Sequence, residues 1–461
     1  MLRLFWLLLL APVASAGPLT VGFADIDVTP AIEAKTPVFM AGFGANRKAT
    51  KVHDPLMARA VVLSDGTQKI AMVCTDVIGL FNDFANDVRS DLTGFTYVLV
   101  SSTHNHEGPD TMGLWGSSPF NSGVNEEYMK HLRANIVKAI NTADKKAKPA
   151  TAKIAVVALP HLMEDNRQPY VKHEDLVAIR FESEGKPLGV LVQWNNHPET
   201  MASKNTEITS DFVGYTVGEL AKRQRCPVAY FTGTVGGLMT TLKVPIKNPQ
   251  GKLLEDGTWE KTEQLGREVA IEADKALKTA KPVTLTPFEI RRREIHIPVQ
   301  NDLYKLVWRA GVLKRTFYVW DNNPTPFKPA TSEDLSKPGA LRTELGYLKL
   351  GDLEVAVIPG EIYPELVLNR VQDPADPAAD FPDAPIEPAI YDQLRAPYKM
   401  LIGLGNDEIG YIIPKRQWDK KPPFCYGRTK EQYGEMNSIG PDAAPIICDQ
   451  FQKLVKENKD K

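Results

Sequence analysis

The feature that most constrains this chain is a rhythm. Short β-branched apolar runs recur along its 461 residues, closing on Gly-containing turns or on isolated polar residues, with helical stretches between them. "QKIAMVCTDVIG", "TYVLVSST", "AKIAVVAL" and "LVAIRFES" read as strands, as do "GVLVQWNN", "VAYFTGTV", "EVAVIPG" and "KMLIGLG". "SEGKP" predicts a hairpin turn, and "LKLGDLEVAV" a second one with a Gly-Asp tip. Helical spacing with charged faces appears in "NEEYMKHLRANIVKAINTADKKAK", "SDFVGYTVGELAKRQR", "WEKTEQLGREVAIEADKALKTAK" and "IYPELVLNRVQ". Hairpins mixed with helical crossovers require mixed β-sheets covered by helices, an α/β or α+β architecture. No internal repeat is evident, and "DPADPAADFPDAPIEPAIYD" reads as a long surface loop rather than a domain boundary.

The first residues, "MLRLFWLLLLAPVASAGP", carry one basic residue, a short apolar core and a small-x-small Ala14-Ser15-Ala16 signal. They predict a cleavable secretory peptide over residues 1–16 and a mature chain, one catalytic domain, over 17–461. The expected location is therefore the periplasm or the medium. No later stretch is apolar for the ~20 residues a span needs. A formal net charge of −2 gives no electrostatic case for nucleic acid. An exported chain meets oxidising conditions, which makes the four cysteines disulfide candidates. Cys425 and Cys448 flank one C-terminal loop and are the candidates to pair, a pairing sequence alone leaves open, whereas Cys74 in "KIAMVCTDV" reads as a buried free thiol.

The chemistry collects just past the strands. His104 and His106 follow "YVLVSST", His197 follows "VLVQWNN", Glu361 follows "EVAVIPG", and Tyr411 closes "MLIGLGNDEIGY". Open α/β sheets place ligands in the crevice outside the strand ends. Two imidazoles, a carboxylate and an open position make a zinc set, because nitrogen and oxygen ligands both suit that ion. In extended chain, residues two apart face the same side, so His104 and His106 share one cavity. Each residue also has a plainer reading. Glu361 starts a helix, His197 caps a strand end, and Tyr411 is a wall residue. Asp175 and Asp211 are candidate bracing acceptors, Asp211 equally an N-cap.

With these blocks in hand, the sequence resembles the neutral/alkaline (non-lysosomal) ceramidase family. "STHNHEGPD" is similar to its T-H-T-H-S-G-P-G segment, "GFADIDVTP" to G-x-x-x-x-D-I-T-G-P, and "MAGFG" to M-x-G-Y-a. "ARAVVLSDG" and "AMVCTDVIG" resemble R-A-f-v-v-a and v-x-x-D-x-g, "EDNRQP" resembles N-R-S-P, and "WNNHPETM" resembles v-x-H-P-T-x-M. "VIPGEIYPE" corresponds to v-P-G-E-f-t-t, "GLGNDEIGYII" to G-l-x-N-x-Y-x-x-Y-v-t-t, and "YGEMNSIGP" to Y-E-x-x-x-x-x-G-P. The resemblance implies one zinc ion per chain on His104, His197, Glu361 and Tyr411. It places His106, Arg167 and Tyr433 in the substrate cleft, with His106 handling protons and Arg167 orienting a substrate group. It implies a lipid-like N-acyl amide substrate and peripheral contact with membranes.

Two departures stand beside it. The family's G-D-x-S-P-N element is replaced by "GTVGGLMTT", which puts Gly237 at the Asp and Met239 at the Ser. The family's C-terminal immunoglobulin-like domain has no counterpart after "IGP". Ceramide, another amide, ester or lactone, and a non-catalytic zinc- or lipid-binding role are the three functions that follow.

Overall fold

The computed structural model describes residues 17–32, 36–331 and 338–457, so the expected secretory peptide lies outside the described residues. Three mixed sheets carry the fold, as the alternation of hairpins and helices predicts. In the first, Thr20–Asp27, Met57–Ser64 and Lys69–Thr75 run antiparallel, and Tyr97–Ser102 adds parallel to the last of them. In the second, Thr151–Ala158, Asp175–Ser183 and Lys186–Trp194 repeat the antiparallel run, and Val228–Thr232 adds parallel. In the third, Phe288–Pro298, Gly339–Leu350 and Leu353–Val357 do the same, and Tyr398–Ile402 adds parallel.

The chain therefore contains one topological unit three times: two hairpins' worth of antiparallel strands, a helical crossover, and a fourth parallel strand. This corrects the sequence expectation of no repeat. What recurs is the pattern of apolar runs and turns, not the residues. The turn between second and third strands carries a glycine of positive φ in every unit, Gly66, Gly185 and Gly351. Each glycine supplies the left-handed backbone that a tight hairpin needs.

One apolar cluster draws on all three sheets, among them Met72 and Leu99, Ile179 and Phe231, and Val355 and Met400. The outer faces are covered by helices, Glu126–Lys145 on the first sheet, Asp211–Gln224 and Trp259–Lys278 on the second, and Ala443–Lys456 on the third. The helix starting at Glu126 is capped by the Asn125 side chain, which accepts from the amides of Glu127 and Tyr128. "IYPELVLNRVQ" forms a shorter helix than its spacing predicts. It spans Pro364–Leu368 and stops where Asn369 turns left-handed. All four cysteines are buried and free, so the expected Cys425–Cys448 disulfide is absent. Cys448 instead packs in the apolar cluster under the third sheet. No helix among the described residues is long and apolar enough to cross a membrane.

Candidate metal centre

The repeat explains how distant residues meet. The loops after the third and fourth strands of all three units converge on one cleft. The first unit sends His104 and His106 from beyond Ser102, and the second sends His197 from beyond Trp194. The third sends Glu361 and Tyr411, which pair side by side in a two-residue parallel ladder.

His104 and His197 are held alike. Nδ1 of His104 donates to the carbonyl of Ile78 at 2.7 Å, and Nδ1 of His197 donates to the carbonyl of Met239 at 2.6 Å. These bonds fix the tautomer and leave both Nε2 lone pairs facing inward. The two Nε2 atoms lie 3.3 and 3.0 Å from one oxygen of Glu361, Oε2. Burial disfavours both charged forms, yet mutual attraction wins: it raises the His104 pKa and depresses that of Glu361. Position 239, where sequence alignment loses a serine, thus contributes its main-chain carbonyl to the site.

His106 differs. Its two ring nitrogens are buried without a hydrogen-bond partner, and Nδ1 sits 3.5 Å from Oε2 of Glu199. Burial, then the two neighbouring imidazoles, push its pKa well down, so the ring is neutral. Its backbone amide donates to the carbonyl of Pro198 at 3.0 Å. Behind it, Arg47 reaches the carbonyls of Ala41 and His106 and pairs with Glu107 at 3.0 Å. Gly42, in the left-handed region at φ 96°, has no alternative residue: a Cβ there would fall 2.4 Å from Cγ of His106.

His104, His106 and His197 bring their ligand atoms within 4.8 Å of one another, a buried group able to hold a metal ion. Glu361 offers an oxygen to the same place. The donor set of imidazole and carboxylate, with each imidazole oriented from behind, fits zinc. Tyr411 is buried beside Glu361, its ring 5.8 Å from that of half-exposed Tyr433. Burial, then Glu361, raises the Tyr411 pKa far above the phenol range.

Arg167 takes a different position from the expected one. Its guanidinium is bidentate to Glu435 at 2.7 and 2.8 Å and also donates to the carbonyls of Tyr433 and Gln417. It anchors the loop bearing Tyr433 and leaves little of itself for a substrate. Asp211 accepts from the amides of Met201 and Phe212, which braces the turn after His197, whereas the Asp175 carbonyl accepts from Asn195. His53, His131, His161, His173 and His296 stay outside the cluster.

Three residues escaped sequence reasoning. Arg47 and Glu199 are described above. The third is Glu408, buried beside Glu361, its pKa raised to about 8 by burial and then by Glu361. For the two glutamates the only sequence signal was an acid in a short turn just past an apolar run, in "HPETM" and "NDEIGY".

The cleft in front of these groups has a volume of about 310 Å³ and apolar walls that include Phe43, Met112, Leu114, Trp115 and Val307. Residues 19–230, the first two units and both histidine loops, match the family model described as neutral/alkaline non-lysosomal ceramidase, N-terminal. That segment belongs to this family. The ceramidase fold extends further. A crystal structure of neutral ceramidase from Pseudomonas aeruginosa is similar over 96% of this chain and 74% of its own, at 16% identity and a TM-score of 0.70. A ceramidase complexed with C2 is similar over 95% of this chain and 75% of its own, at 15% identity and a TM-score of 0.69. Over nearly its whole length the chain shares its fold with these ceramidases.

Proposed function

We propose that the protein is a zinc-dependent hydrolase of N-acyl amide bonds, ceramidase-like and exported, releasing a fatty acid and an amine. The observation that carries this reading is the convergence of His104 Nε2 and His197 Nε2 on Glu361 Oε2 at the base of an apolar cleft. His104, His197 and Glu361 hold the ion, with Tyr411 completing the set. Zinc, when bound, supplies Lewis acidity for a carbonyl and lowers the pKa of water toward 7.

The chain's own residues do the rest. The apolar walls take the acyl chain and keep water away from the reacting carbonyl. His106, neutral and free at both nitrogens, accepts a proton and returns it to the departing amine. Glu199, at 3.5 Å, orients the ring and stabilises its charged form. Tyr433 stands at the mouth, held by Arg167 through its carbonyl. Exposed Leu303, Leu306 and Met436 near that mouth support peripheral contact with a lipid surface.

A second reading, a family hydrolase acting on a different amide or ester, is favoured by one observation. Met239 presents no side-chain donor where the family places serine, and Glu199 and Glu408 add carboxylates around the cleft. The test is release of sphingoid base from a short-chain ceramide by the zinc-loaded protein beside His104→Ala. Release that disappears in the variant supports the first reading. Intact zinc binding at one ion per chain without release moves the substrate to the second.

A further inference from the structure

Beside the cleft lies a second cavity that the chemistry above does not use. It has a volume of about 270 Å³, and Phe81, Phe84, Val124 and Met129 supply apolar surface to it. Its charged lining residues are already matched: Asp87 with Arg133, Glu126 with Lys314, Lys130 with Glu127 and Asp83 with Arg342. The cavity therefore offers apolar contact and no unpaired charge, which suits a hydrocarbon.

Met112 lines both spaces. Ile78 on the cleft side and Phe81 on the far side pack with it in one small apolar cluster, so a single layer of side chains separates the two. The backbone of this partition is fixed. Asp110 accepts from the amides of Met112 and Gly113 at 2.9 and 2.6 Å, and from that of Trp115 at 2.9 Å. Thr111 donates to the carbonyl of Gly79 at 2.6 Å. The Met112 side chain is the adaptable part, since methionine turns about several bonds and fits irregular gaps. Its sulfur rests beside Gly79, where a Cβ would lie 3.0 Å from it.

Volume decides what the second space is for. A dry cavity of about 150 Å³ takes one benzene ring, so the 310 Å³ cleft is filled by roughly a dozen heavy atoms. An amide head with about eight chain carbons reaches that limit. A longer chain either stays in water or continues past Met112.

We infer that Met112 is a movable partition and that the cavity behind it receives the distal part of the acyl chain. Long-chain N-acyl amides are then the substrates this protein favours. The inference rests on the reading of the cleft as the acyl-amide site.

Two N-methyl alkanesulfonamides that resist hydrolysis test it, one with an octyl chain and one with a tetradecyl chain. Calorimetry on the zinc-loaded protein, below the concentrations at which they self-associate, measures their binding. Each buried methylene strengthens binding about fourfold, so the longer compound is expected to bind at least about 10²-fold more tightly. Val124→Trp fills the second cavity from its far side and is expected to bring that ratio to within about threefold, because the distal carbons stay in water. Met129→Trp fills the same cavity and serves if Val124→Trp does not fold. Met112→Ala removes the partition and is expected to raise the ratio, a change opposite in sign to the cavity-filling one.

A ratio near one in the unaltered protein overturns the inference, because the chain then ends in the cleft. A ratio that survives both cavity-filling variants overturns it by sending the chain out through the mouth. An unchanged or smaller ratio in Met112→Ala overturns it too, by making Met112 an ordinary wall contact. The matched N-methyl acyl amides separate the two readings. A chain-length ratio in binding with neither amide cleaved keeps this inference and removes the amidase, whereas cleavage of both without that ratio does the reverse.

Discussion

The first and third units share a topology and differ in what their loops deliver. The loop after the fourth strand carries imidazoles in the first unit, His104 and His106, and acid and phenol in the third, Glu408 and Tyr411. The means of support differ as well. His104 is pinned by one carbonyl bond and His106 by an arginine clamp and a glycine it would otherwise collide with. The third loop also turns on left-handed residues, Leu404 and Asn406, as the first does at His104, but it is held by the Asp407–Arg315 pair. One topology thus serves opposite chemistries, because a strand-end loop fixes where a side chain arrives and leaves its identity open.

The sharpest way to break this comparison is to ask which unit the ion needs. Glu361→Gln is expected to lose both the ion and turnover, while His106→Ala keeps the ion and loses turnover by about 10² or more. Atomic emission of each purified variant reads the first quantity. The opposite pattern, an ion kept without Glu361 and lost without His106, would assign the metal to the three imidazoles.

Next in size are the two arginine clamps. Arg47→Met leaves Glu107 buried and unpaired, and Arg315→Met does the same to Asp407. Each is expected to cost about 3 kcal/mol in denaturant unfolding. If the loops are held as described, only the Arg47 variant changes turnover through His106. Gly42→Ala should follow, slowing turnover with the ion retained, because the methyl displaces the His106 ring.

The smallest effect concerns Glu365, outside the ligand set. Burial raises its pKa from 4.5 to about 7, against the pull of its Gln417 partner and of Arg167. The folded state therefore binds the proton more tightly than the unfolded one. Its contribution is fully present below pH 4.5 and is lost as pH rises through about 7. Glu365→Gln should flatten that part of the stability–pH curve, and an unchanged slope would reassign it.

Much of this arrangement was legible because it is local. Strands, hairpin turns and the polar residues after them are written in neighbouring letters, and His104, His197, Glu361 and Tyr411 were found that way. The rest depends on partners far along the chain. Arg167 read as a free cleft cation because nothing near it announces Glu435, 268 positions away. Glu199 and Glu408 carry no periodic signature, since a buried acid in a turn looks like any solvated one. The Cys425–Cys448 expectation failed for a related reason, since loop proximity in sequence says nothing about which core each thiol faces. The threefold repeat was hidden because apolar residues exchange freely within a core, so topology outlives identity.

Because each unit owns only part of the site, the order of synthesis matters. The ribosome delivers His104 and His197 well before Glu361, which follows His197 by 164 residues. Until the third sheet closes over the shared core, a nascent chain can present imidazoles to metal without the acid that completes the set. The full donor set therefore exists only once the third unit has folded onto the first two.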